Sequence, residues 1–166
     1  MESGRQAQDK IYSARLARLS NMLDTNSFHQ GGFHIIYRIN PPVTNDELNR
    51  LFAAAWQRHT WSDFKPILER SLSFVCAYHA ARLIGFVNLA WDGGAHAFIL
   101  DTTVHPEYQR LGIGQQLVKE AATVAKQRGL EWLHVDFEPH LQTFYDKCGF
   151  KSTQAGLMNL KIMSST

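Results

Sequence analysis

The 166-residue chain is poor in sulfur and nearly balanced in charge. Its two cysteines, Cys76 and Cys148, form no C-x-x-C pair, so the sequence encodes neither a disulfide framework nor a cysteine metal knuckle. Two reduced thiols are expected, and with them a cytoplasmic setting. The eight histidines are scattered and no H-E-x-x-H occurs, so no metal is expected. A formal net charge of +2 is too small for a nucleic-acid binder, whose basic residues concentrate in a stripe. No apolar run approaches the ~20 residues of a membrane span. The N-terminus also lacks the apolar core of a signal peptide, so no membrane association is expected. What remains is a globular composition, 45% hydrophobic, enough for one core without staples.

The hydrophobic pattern alternates between strand and helix periods along the chain. Residues 1–32 are polar and locally basic. Tyr12, Leu16, Leu19 and Leu23 fall at helical spacing, and His29-Gln30-Gly31-Gly32 reads as a linker, so an N-terminal extension is expected ahead of one domain, 33–166. Phe33–Ile39 reads as a strand ended by Pro41-Pro42. Thr44 and Glu47 make a capping box for a helix running to about His59, and a second helix ends near Arg70. Residues 72–78, 83–90 and 96–104 read as strands, with a hairpin signal at Asp92-Gly93-Gly94. An amphipathic helix follows Gly114 and is capped by Gly129. Residues 132–137 read as a buried parallel strand and 139–148 as a short helix opened by Pro139. A last strand is expected at 157–163. The fold class is α/β, a mixed sheet in the order β-αα-β-β-β-α-β-α-β.

The chemistry concentrates between Asp101 and Leu117. His105-Pro106 stops a strand, and Gln109-Arg110-Leu111-Gly112-Ile113-Gly114 opens a helix. The first N–H groups of a helix lack internal partners and carry partial positive charge, and glycine lets an anion approach the backbone. A Walker loop is excluded because Gln115-Gln116 follows Gly114. A dinucleotide fingerprint is excluded because Leu117 stands where its third glycine or alanine belongs. A nucleotide-binding regulator is left as a reading that ligand competition would separate.

The remaining pattern, Gln109-Arg110-x-Gly112-x-Gly114 after Val104-His105-Pro106, resembles motif A of the GNAT (GCN5-related) N-acetyltransferases. Phe144-Tyr145-Asp146-Lys147-Cys148-Gly149-Phe150 resembles that family's late motif. The two motifs cover about residues 83 to 155; 33–82 agree only in pattern, and 1–32 do not match. The resemblance implies a transferase of the acyltransferase class that passes an acetyl group from acetyl-CoA to an amine acceptor, a small molecule or a peptide, by direct attack in a ternary complex. It implies a coenzyme A pyrophosphate on the amides of Gln109, Arg110, Leu111, Gly112, Ile113 and Gly114. The pantetheine would lie along Thr103 and Val104. Tyr145 would assist the departing thiolate. Many relatives carry an asparagine where this chain has Glu138; a carboxylate there could cap the helix, attract a cationic acceptor or help deprotonate it. Trp56, His59, Trp61 and Phe64 fall in the region that walls the acceptor pocket, or pack as ordinary helix and loop residues. The general base is open among Asp101, Asp136, Glu138, His134 and His140; Asp101, which ends the strand feeding the site, comes first. Dimers are frequent in the family, so a homodimer is open too. The alternative keeps the fold as a non-catalytic coenzyme A-binding module.

Overall fold

The structure, a computed structural model, describes residues 26–160. The expected N-terminal helix lies outside the described residues. The chain divides into two compact units, one through Val135 and one from Asp136.

The first unit is a six-stranded sheet whose strands lie in sequence order. They are β1 Asn26–Gln30, β2 Phe33–Ile39, β3 Ser73–His79, β4 Arg82–Trp91, β5 His96–Val104 and β6 Trp132–His134. β1 to β5 pair antiparallel; β6 pairs parallel to β5, as a strand–helix–strand crossover requires. Helix α1, Asn45–Ala55, begins at a complete Thr44–Glu47 capping box. Its Leu48, Leu51 and Phe52 bury against Cys76, Tyr78 and Phe86. A single turn, α2, Lys65–Leu68, follows. Helix α3, Ile113–Gln127, packs on β3, β4 and β5 with Leu117, Val118, Ala121 and Val124 inward. Leu117 Cδ1 stands 2.9 Å from where a Gly85 side chain would begin, so glycine on β4 is what lets this helix close on the sheet.

Several sequence expectations are corrected. The His29–Gly32 stretch is not a linker. Asn26–Gln30 is an edge strand, and Gly31 (φ +57°) and Gly32 (φ +84°) make the two-residue left-handed turn that right-twisted hairpins favour. β1 escaped detection because four of its five residues are exposed and it shows no alternation. Helix α1 stops at Ala55, four residues early, where Trp56 turns extended. α2 stops at Leu68, short of Arg70. β6 covers only Trp132–His134 and is largely exposed; among the described residues it is the last strand of the sheet on that side. Residues 157–159 are exposed and have no regular structure, so the expected last strand is absent from the described part; 161–163 lie outside it.

The second unit carries a 3-10 turn, Pro139–Leu141, and helix α4, Gln142–Lys147, closed by Gly149 at φ +93°.

Candidate active site

The site in the first unit starts from a fault in a strand. β5 pairs with β4 at Leu100↔Asn88 and Thr103↔Phe86, so β5 spends one more residue than β4 between these pairs. That extra residue is a β-bulge, and Asp101 takes φ +55° to make it. Burial pushes the Asp101 carboxyl above the ordinary carboxylate range. Two buried oxygens flanking the bulge, Asn88 Oδ1 and Thr102 Oγ1, have no hydrogen-bond partner.

The outer edge of β5 is open beyond the bulge. β6 pairs with it only from His96 to Phe98, so from Ile99 onward no strand among the described residues of the first unit occupies that edge. His105 N–H donates to Ile84 O on β4 at 2.8 Å. Strand alternation therefore turns the Val104 N–H to the open side. His134, the last residue of β6, lies level with Phe98, far short of Val104.

The open edge leads into the glycine turn. Gln109 Nε2 donates to Val104 O at 3.0 Å. Arg110 (φ +61°) and Gly112 (φ +83°) are both left-handed. α3 starts directly after Gly112, without a side-chain cap, and its first intrahelical bond is Gln116 N–H to Gly112 O at 3.1 Å. The amides ahead of Gln116 are the uncapped donors of a fifteen-residue helix, the electrostatic form of an anion site. Gly112 serves its backbone angle first: a Cβ there would also approach Gln30 Nε2 to 3.4 Å.

The turn is braced from β4. Arg82 donates to His105 Nε2 at 2.7 Å and to Glu107 Oε2 at 2.9 Å. A guanidinium only donates, so His105 Nε2 accepts. Burial, reinforced by the Arg82 charge, holds the His105 imidazole below its usual range. Tyr108 OH lies 2.9 Å from His79 Nδ1 on β3.

Trp56 and Trp61 lie on the segment between α1 and α2 and are exposed, Trp61 by 66%. Two asparagines hold that segment. Asn49, buried on α1, donates to Asn45 O and Ser62 O and accepts the Ser62 N–H. Asn45 accepts the Phe64 N–H and donates to Asp63. Trp61 is thus presented to solvent by a braced loop, while Phe64 and His59 turn inward against Phe52.

In the second unit Tyr145 is buried, its ring stacked on Phe137 at 4.6 Å and edge-on to Phe144 and Phe150. Glu138 stands at the N-cap position of the 3-10 turn, but its side chain makes no capping bond. Burial raises the Cys148 thiol, the opposite of an activated thiolate. Among the described residues no group of three or more His, Cys, Asp or Glu forms a metal cluster, and no helix is long and apolar enough to cross a membrane.

Residues 42–150 match the model of the Acetyltransferase (GNAT) family. The chain belongs to the GNAT family. An uncharacterized N-acetyltransferase, ycf52, of Porphyra purpurea is 30% identical over 81 residues, which cover 49% of this chain and 47% of that one. GCN5-related N-acetyltransferase 2, chloroplastic, of Arabidopsis thaliana is 29% identical over 79 residues, 48% of this chain and 31% of that protein. The matched part thus spans about half or less of each relative's length. Among solved structures, the aminoglycoside N-acetyltransferase AAC(6')-Iy in complex with CoA superposes with a TM-score of 0.65 at 20% identity, covering 80% of this chain and 97% of that one. It shares the GNAT fold.

Asp101, Thr103, Val104 and the 109–114 turn, the GNAT residues read from the sequence, are brought together by one strand and its turn. Gln109 spends its amide on Val104, so within this turn it braces the backbone. Sequence reading missed Asn88, whose signal was a lone amide in the apolar run of β4, and Asn45 and Asn49, hidden among ordinary helix residues. It also missed Gln30 and Gly31, read as linker.

Proposed function

We propose that this chain is an acetyl-CoA-dependent N-acetyltransferase. The observation that carries the reading is the unpaired edge of β5 running from the bulge into a left-handed turn at an uncapped helix N-terminus. An extended amide chain ending in a pyrophosphate fits that edge and that turn. The small, positive-φ Gly112 agrees with such a ligand.

Acetyl-CoA, as substrate, supplies the activated acetyl group in its thioester, and an amine acceptor attacks it directly in a ternary complex. The chain's part is to hold and to move protons. The Arg110–Gly114 amides bind the pyrophosphate, and the Val104 N–H faces the oxyanion. Asp101, its carboxyl raised by burial, takes the proton of the acceptor ammonium. Tyr145 stabilises the departing thiolate with its hydroxyl. Trp56 and Trp61 suit a cationic amine or an apolar acceptor. Reduced thiols fit the cytosol and a plastid stroma alike; the chloroplastic relative favours the latter, and imaging of the tagged full chain decides between them.

Thermal unfolding with acetyl-CoA, CoA, ATP and NAD in parallel tests the ligand. A ligand at ~100 times its Kd adds about 2.7 kcal/mol, a shift of several degrees. Stabilisation by acetyl-CoA and CoA alone is the expected result, followed by amine-dependent thiol release across an acceptor panel. Binding without turnover for any amine supports a non-catalytic module instead.

A further inference from the structure

The β1–β2 hairpin turn lies against the glycine turn. A Cβ on Gly31 would stand 2.5 Å from Leu111 Cδ2 and 3.1 Å from its Cγ, so a side chain there forces Leu111 out of its present seat. Its neighbour Gly32 has the same left-handed backbone but nothing within 4 Å of that position. Gln30 lays its Nε2 over Gly112, and its Oε1 accepts from the Tyr37 hydroxyl. An amide oxygen only accepts, so Tyr37 is the donor. Further along, Asn26 donates to Glu120 Oε2 at 2.8 Å, and Gln116 donates to Glu120 Oε1 at 2.6 Å. One short edge strand and its turn therefore grip the glycine turn and the second turn of α3 together.

We propose that the β1–β2 hairpin is a clamp for the coenzyme A turn, with Gly31 and Gln30 as positioning residues. The inference rests on the coenzyme A reading above. Its physical basis is the strain in the turn. Arg110 is a non-glycine residue in a left-handed conformation, and such a residue persists only where its surroundings over-determine it. Leu111, between the two left-handed residues, is the handle by which the hairpin does so. A turn already held in its binding shape loses less freedom when the anion arrives. The clamp residues fall outside positions 42–150, so the family pattern does not account for them.

The test is coenzyme A affinity measured by titration calorimetry on the full chain, with the thermal midpoint recorded alongside. Gly31→Ala drives a methyl into Leu111 and should weaken binding about tenfold. Gly32→Ala carries the same backbone strain without the collision and should stay within about twofold. Adding Leu111→Ala to Gly31→Ala relieves the collision and should recover part of the loss relative to Leu111→Ala alone. Gln30→Ala, which overpacks nothing, should cost several-fold. Equal losses in Gly31→Ala and Gly32→Ala, or unchanged affinity in Gly31→Ala and Gln30→Ala, overturn the clamp. A wild-type chain that does not bind coenzyme A overturns the cofactor reading instead, so the two failures are distinguishable.

Discussion

Gln109 donates its side-chain amide to the backbone carbonyl of Val104 at 3.0 Å, closing the loop between the end of β5 and the start of the glycine turn. The first residue of the motif therefore works on the backbone. Gln109→Leu removes the tie and should weaken coenzyme A binding by about 3–10-fold, the worth of one such bond. Calorimetric titration checks it. Unaltered affinity would show that the turn holds its shape without Gln109.

Asp101 should trade stability for activity. Its folded-state pKa is raised by desolvation, so the native chain holds a proton there more tightly than the unfolded chain does. Stability is thus gained as pH falls through the raised value, and at neutral pH the ionised carboxylate is a cost. Asp101→Asn keeps a residue that tolerates the left-handed bulge and removes that cost. The variant should melt a few degrees higher at neutral pH, while kcat with a protonated amine falls. A lower midpoint would mean that the carboxylate is structurally required.

His105 predicts an acid limb. It faces Arg82 from β4 and Glu107 and Tyr108 from its own turn. Burial and Arg82 lower its folded-state pKa, so the unfolded chain binds the proton more readily. Stability is full above the ordinary histidine value of ~6.5 and is lost as pH drops from there toward the lowered folded value. Thermal midpoints between pH 7.5 and 5.5 should fall more steeply for wild type than for His105→Gln. Parallel curves would remove His105 from the acid response.

Tyr145→Phe keeps the ring that stacks on Phe137 and deletes only the hydroxyl. Turnover should drop by about 10²-fold, with acetyl-CoA affinity nearly intact and a melting midpoint within a few degrees. An undiminished rate would assign Tyr145 to packing alone.

Much of this was legible locally. The Thr44–Glu47 capping box and the bounds of β2 and β5 follow from nearest-neighbour chemistry: a hydroxyl three residues before a carboxylate, and β-branched runs. The helix opened by the glycine turn was legible too, although it starts at Ile113, ahead of the expected start after Gly114. β1 was not legible, because an exposed edge strand needs no alternation and takes its identity from the partner that bonds it. β6 was overextended because its apolar residues resemble those of a buried strand, whereas only Trp132, Leu133 and His134 find β5.

The sequence by itself determined the chemistry on offer: a strand end, a glycine turn and a helix start, with the residue types that coenzyme A binding in this family calls for. Tertiary structure decided which of those groups are free to act. The bulge at Asp101 sets the burial of its carboxyl, and the short β6 leaves the β5 edge open. Gln109 is committed to Val104, and the hairpin at Gly31 closes over Leu111. Composition cannot announce these outcomes, because each depends on contacts between segments far apart in the chain. Desolvation, an unpaired edge and a missing Cβ acquire meaning only against the neighbour that packing supplies.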